Sequence, residues 1–276
     1  MKLMTLNTHS IMEENYEEKL EKFVEVIAEL KPDVFVLQES NQRIDSEIVD
    51  KSELFGCIKV DTPIKRDNNA FNVARLLKEK GLNYNWYWQS AKKGFDILDE
   101  GLAVFTTHPV CDFEYFYMSN VRDYENWKTR IAVGLTINVD GEKKSFYSVH
   151  FGWWNDEEEN FKIQFENIQR HFENRKNEII YLMGDFNSPA NTRNEGYDYA
   201  LSKGWYDMYQ LAESKDNGIT VAEKIDGWRD KTVDENGMRI DYIFSNKPNK
   251  FKYHNVIFNG KNYAVVSDHF GIVAEE

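Results

Sequence analysis

The chain has 276 residues, of which 41% are hydrophobic, 14% aromatic and 29% charged, a composition that supports a sizeable core and excludes a disordered chain. Its formal charge of −13, from 47 acidic against 34 basic residues, opposes polyanions, and no basic run is longer than Lys92-Lys93 or Lys143-Lys144, so nucleic acid is disfavoured as a partner. Cys57 and Cys111 are spaced neither as a zinc clip nor as a disulfide framework, no basic-then-apolar leader opens the chain, and no apolar run nears the ~20 residues that span a bilayer; a cytoplasmic protein without a membrane partner is expected.

Residues 2–6 form a β-prone run that ends at Asn7. Over 15–30, Leu20, Phe23, Val24, Ile27 and Leu30 share one face of a helix that Lys31-Pro32 terminates, and 34–37 is the next strand, followed by Glu39. A second helix is expected over 69–80 with Phe71, Ala74 and Leu77 inward and Gly81 at its end, and a strand over 102–105. Residues 131–139 alternate as a strand, turn at Asp140-Gly141 and return as a hairpin through 143–149 to His150. A third helix carries Phe161, Phe165, Ile168 and Phe172 on one face and leads into strand 179–183, just before Asp185 and Asn187. A short helix over 194–201, a strand over 241–245 opened by Asp241, and a last strand over 270–274 preceded by Asp268-His269 complete the reading. No linker or repeat interrupts 1–276, so a single domain is expected, and the recurring strand-helix-strand order suggests two packed sheets covered by outer helices.

Carboxylates, amides and histidines therefore sit at the ends of apolar runs, where strands of one sheet deliver polar groups to a shared rim, the pattern of a metal-assisted hydrolytic site. The fragments LNTHS, LQES, SVHFG, MGDFN, RIDYIFSN and VVSDHFGI, in that order, resemble the endonuclease/exonuclease/phosphatase superfamily over nearly the whole chain. The resemblance implies an α/β fold, a four-layer α/β sandwich of two packed mixed β-sheets flanked by helices, and a metal-dependent phosphoric ester hydrolase.

A carboxylate ending a buried strand needs compensation, and Glu39 is accordingly the foremost metal ligand, joined by Asn7 and Asp268 in an oxygen-rich set suited to magnesium or manganese. By resemblance His269 is catalytic and Asp241 orients it. Asp185 and Asn187 position the attacking water and contact the phosphate, and His150 contacts the phosphate; Asp185 and His269 both remain open as general base. His9 stands where some nuclease members carry an acid, which speaks against that metal arrangement, while His108, His171 and His254 are expected to pack or face solvent.

The stretch from Asn69 through Lys93-Gly94-Phe95-Asp96 to Asp99-Glu100-Gly101-Leu102, with HFGWW later, looks like the branch that includes maltose 6'-phosphate phosphatase. A phosphomonoesterase acting on a small sugar phosphate is the reading this favours. Trp153 and Trp154 are candidates for stacking on a sugar, Arg130 for a phosphate fork and Trp228 for the pocket wall. The alternative is a phosphodiesterase of the same fold, nuclease-like or sphingomyelinase-like, which a basic groove or an apolar membrane-docking hairpin would mark; the sequence displays neither. Oligomeric state is not legible.

Overall fold

The computed structural model describes residues 1–222 and 237–276. Its elements are β1 (Lys2–Asn7), α1 (Tyr16–Leu30), β2 (Val34–Gln38), β3 (Gln42–Arg43), α2 (Asn69–Glu79), β4 (Asn85–Gly94), β5 (Leu98–Thr106), β6 (Val110–Tyr117), β7 (Ile131–Val139), β8 (Glu142–His150), α3 (Phe161–His171), β9 (Ile179–Asp185), α4 (Gly196–Ser202), β10 (Tyr206–Asp207), α5 (Met208–Leu211), β11 (Ala212–Lys215), β12 (Asp241–Ser245), β13 (Phe251–Ile257) and β14 (Gly271–Glu275). Helix ends follow local chemistry. Asn68 and Asn160 cap α2 and α3 by accepting from Phe71 N and Ile163 N, and α1 stops where Lys31 turns left-handed before Pro32.

Among the described residues the strands form two mixed sheets. One runs β11-β13-β14-β1-β2-β5-β3 with β4 also on β5; the other runs β10-β12-β9-β8-β7-β6. The expected strand-helix-strand units are both present, β1-α1-β2 and β8-α3-β9, each with its two strands parallel. Each of these two parallel pairs is flanked by antiparallel neighbours, β14 and β5 in one sheet and β12 and β7 in the other, and a third parallel pair, β11–β13, lies at the edge of the first sheet.

Period-two alternation sorts the side chains into four layers. Phe35 and Leu37 of β2 face α1 and α2 together with Phe23 and Phe71, whereas Val34 and Val36 face the second sheet, meeting Phe146, Tyr181 and Ile243. Ile180 and Leu182 of β9 point the other way, into an aromatic layer under α3 and α4 with Phe151, Phe161, Phe165 and Phe186. Each large side chain so buried contributes about 1.5–3 kcal/mol relative to exposure. The α/β four-layer sandwich is thus the observed fold.

The same alternation decides where the catalytic candidates point. Asn7 shares the parity of Leu3, His150 that of Phe146, Asp185 that of Met183 and Asp241 that of Ile243, so all four lie on the inner faces of the two sheets, at one open end of the sandwich. Below them a polar seam ties sheet to sheet: Thr5 Oγ1 donates to Gln38 Oε1, Gln38 Nε2 to Ser148 Oγ, and Ser148 Oγ to Leu37 O.

Candidate active site

Register brings the centre together before any side chain is considered. Asp185 at the end of β9 is paired with His150 of β8 on one side and with Asp241 of β12 on the other. Gly184, just before it, has φ +140° and passes so near the neighbouring strand that a Cβ would lie 2.2 Å from Val149 O and 2.8 Å from the Gln38 amide carbon, so only glycine fits. Phe186 then buries itself in the α3 layer while Asp185 and Asn187 turn to the pocket. Asn187 adopts φ 45°, a conformation asparagine tolerates better than most, and its N–H donates to Asp185 Oδ1 at 2.8 Å.

Around Asp185 Oδ2 the groups are close-set. Asn7 Nδ2 lies at 3.2 Å, His150 Nε2 at 3.4 Å and His269 Nε2 at 3.9 Å. His269 Nδ1 is 3.0 Å from Asp241 Oδ2, which fixes the ring and leaves Nε2 facing Asp185. Burial alone would lower the His269 pKa, but the Asp241 and Asp185 carboxylates outweigh it and raise the value to about 10. Burial likewise lifts Asp185, partly offset by His269 and assisted by Asp241, to about 7. His150 is driven well below its ordinary value, first by burial and then by Arg130, Lys92 and His269, so it stands neutral.

Glu39 follows β2 in a left-handed conformation, φ 48°, costly for a non-glycine residue. The surroundings hold it there: Thr8 N and Oγ1 donate to Gln38 O, Thr8 Oγ1 also to Glu39 O, and Ser40 N to Gly101 O. Asn7 Nδ2 donates to Glu39 Oε1 at 3.0 Å. Burial first, then the carboxylates of Glu100 and Asp268, push the Glu39 pKa up. Carboxylates set close together in a pocket that Glu39 and Asp268 both line make a hard, oxygen-rich donor set, to which the Asn7 amide can add; that set fits a divalent cation. Ser267 Oγ donates to Asn7 O at 2.7 Å and so ties the Asp268-His269 turn to β1.

The pocket over this centre has a volume of about 310 Å³, at the lower end of the usual range for small-molecule sites. It is lined by His9, Glu39, His150, Asp185, Asn187, Asp268 and His269, by Lys92, Glu100 and Arg130, and by Trp153 with Phe95 and Trp127, the last two more than half exposed at its rim. Trp127 and Trp153 tilt toward each other at 53° with centroids 5.9 Å apart, and Trp127 remains 51% exposed. His9 is engaged by Glu13 at 2.8 Å; burial would lower its pKa, but Glu13, Asp268 and Glu39 raise it to about 9.

Of the residues singled out from sequence, Asn7, Glu39, His150, Asp185, Asn187, Asp241, Asp268 and His269 converge, and Arg130 and Trp153 line the same cavity or its wall. Trp154 does not: it turns under the loop to pack against Phe161 and Tyr199, so its expected place over the substrate is corrected to the α3 layer. Trp228 lies outside the described residues. Sequence reasoning gave no role to Lys92, Glu100 or Trp127. Their signal was faint, because Lys92 sits in a strand without clean alternation and Trp127 in an irregular loop.

A family model described as the endonuclease/exonuclease/phosphatase family matches residues 4–269. Among solved structures, an endonuclease/exonuclease/phosphatase family protein from Leptotrichia buccalis C-1013-b is similar at 36% identity and a TM-score of 0.88, over 100% of this chain and 98% of that one. A mannosyl-6-phosphatase from Bacteroides thetaiotaomicron VPI-5482 is similar in fold at 18% identity and a TM-score of 0.67, over 100% and 98%. Truncated TDP2 from Caenorhabditis elegans follows at 16% identity and a TM-score of 0.60, over 99% and 95%. No curated protein matches the chain by sequence.

Proposed function

The chain belongs to the endonuclease/exonuclease/phosphatase family, whose enzymes are divalent-metal-dependent phosphoric ester hydrolases, and from that premise we propose that it is a magnesium- or manganese-dependent phosphomonoesterase acting on a small sugar phosphate such as maltose 6'-phosphate. The observation that carries this reading is the aromatic rim: Phe95, Trp127 and Trp153 border a pocket of about 310 Å³ directly above the polar centre. Indole faces stack on sugar rings and give orientation without charge. The formal charge of −13 is poorly suited to a polynucleotide track, and among the described residues no helix is long and apolar enough to cross a membrane. In this reading residues 1–276 act as one catalytic domain, because β14, late in the sequence, pairs with β1 in the same sheet.

Glu39, Asn7 and Asp268 would hold the cation, which when bound supplies Lewis-acid neutralisation of phosphoryl charge. Asp185, fixed through Oδ1 by the Asn187 N–H, presents Oδ2 to the centre and accepts the proton of the attacking water. His269 is held protonated between Asp241 and Asp185 and offers its Nε2 proton to a phosphoryl oxygen as charge builds there. Asn187 Nδ2 and neutral His150, 3.2 Å apart, complete the oxygen-binding wall.

The test is a panel of phosphomonoesters, sugar phosphates among them, assayed with magnesium beside plasmid DNA and sphingomyelin. Turnover of a sugar phosphate well above the diesters is expected. Preferred cleavage of either diester would replace this reading with the phosphodiesterase one.

A further inference from the structure

Three charged groups of the pocket lining, Lys92, Glu100 and Arg130, stand beside the centre described above. Lys92 is 4% exposed and Arg130 6%, and both line the cavity. Lys92 Nζ lies 2.7 Å from Glu100 Oε1, and Arg130 Nη1 lies 3.9 Å from the same oxygen. One carboxylate is therefore shared by two cations, which leaves the trio itself with a charge of +1 beside the Glu39 carboxylate. Two buried cations that share one carboxylate and line the cavity favour the entry of an anion.

The backbone makes a specific provision for this. Trp86 and Trp88 of β4 face the helix layer, so strict alternation would send Lys92 there too. The β4–β5 register instead shifts between Ser90 and Lys92, and the bulge sets Lys92 opposite Glu100. Cross-strand partners share a face, and Glu100 has the parity of Leu102 and Val104 on the inner side. The bulge thus turns a lysine inward to the pocket, while Arg130, immediately before β7, reaches the same carboxylate from the other sheet.

We propose that Lys92 and Arg130, bridged by Glu100, form a cationic subsite for the third non-bridging oxygen of a phosphomonoester dianion, and so determine selection of monoesters over diesters. This rests on the phosphomonoesterase reading and deepens it. A monoester dianion carries two charges over three non-bridging oxygens, whereas a diester carries one charge over two. The centre around Glu39, Asp185 and His269 serves either ester. This cluster adds positive charge where only the monoester has an oxygen left to bind, since a diester places its second, uncharged alkoxy group there.

The experiment compares p-nitrophenyl phosphate with bis(p-nitrophenyl) phosphate in the magnesium-loaded protein and in Lys92→Met and Arg130→Met. In each variant kcat/KM for the monoester is expected to fall about 30-fold or more, as when one partner of a buried charge contact is truncated, while the diester changes by less than about threefold. Lys92→Arg, which keeps the charge, should retain most of the monoester preference. Binding of inorganic phosphate should weaken in parallel with the monoester. If Lys92→Met does not fold, Arg130→Met decides by the same ratio. Equal losses on both esters, or an unmoved ratio in a wild type that prefers the monoester, would overturn the subsite alone; a wild type that cleaves only the diester would defeat the phosphomonoesterase reading itself.

Discussion

At the scale of single residues, Glu39 and His269 separate two kinds of contribution. Glu39 adopts a left-handed backbone conformation beside the carboxylates of Glu100 and Asp268, and in the proposed reading a cation would offset their mutual repulsion. Glu39→Gln is therefore expected to lower metal-dependent turnover by about 100-fold or more, in the range seen when a preorganised electrostatic contact is lost, with the melting temperature nearly unchanged. Chelator should abolish wild-type activity; full turnover of the variant in chelator would remove the metal assignment. His269 and Asp241 act as one unit through their 3.0 Å contact. His269→Ala should reduce kcat strongly, Asp241→Asn less, and the double variant little more than His269→Ala. Free-energy losses that simply add in this cycle would show two independent groups. The residues of this centre were legible in the sequence because each stands next to a β-prone run in a short, ordered motif. Lys92 was not, since its direction depends on a bulge that local pattern does not reveal.

At the scale of elements, the loop after β8 divides its two tryptophans. Trp153 lines the pocket against Trp127, and Trp154 packs on Phe161 and Tyr199. Trp153→Ala should raise KM for a sugar phosphate by the equivalent of ~1–3 kcal/mol, by analogy with aromatic stacking on bases, and leave a small aliphatic phosphate nearly unaffected. Trp154→Ala should instead destabilise the fold by about 2–4 kcal/mol in urea unfolding, somewhat below the cost at a fully buried site, without changing the ratio of the two substrates. The reverse allocation would exchange their roles. Helices α1, α2 and α3 were readable because one face is apolar at a 3.6-residue period, and the β7–β8 hairpin because Asp140-Gly141 supplies two positive φ values, 52° and 87°. Strand β4 escaped notice: Trp86, Tyr87 and Trp88 are buried in succession, two against the helices and one between the sheets, so no amphipathic alternation marks it.

At the scale of the whole molecule, acid stability should report a buried histidine far from the pocket. His254 on β13 is 1% exposed, meets Tyr209 edge-on, and has no hydrogen-bond partner for either ring nitrogen among the described residues. Burial, assisted by Arg239, lowers its pKa from 6.5 to about 3. The unfolded chain then binds a proton that the folded one refuses, so this stability is full above pH 6.5 and is lost as pH falls toward 3. His254→Phe should remove up to about 1.4 kcal/mol per pH unit from the acid limb of the stability curve between those limits. Parallel limbs in urea titrations of wild type and variant would show that His254 does not carry it. By itself the sequence determined the reaction class, the helices and the strand-end polar residues, because motifs, caps and periodicity are local properties of the chain. Only the tertiary structure decided that β1 and β14 are neighbours, that Trp154 serves the core while Trp127 joins the rim, and that Lys92, Glu100 and Arg130 meet. Those outcomes depend on which strands pair and in what register, and a one-residue shift in register reverses the face that every following side chain presents.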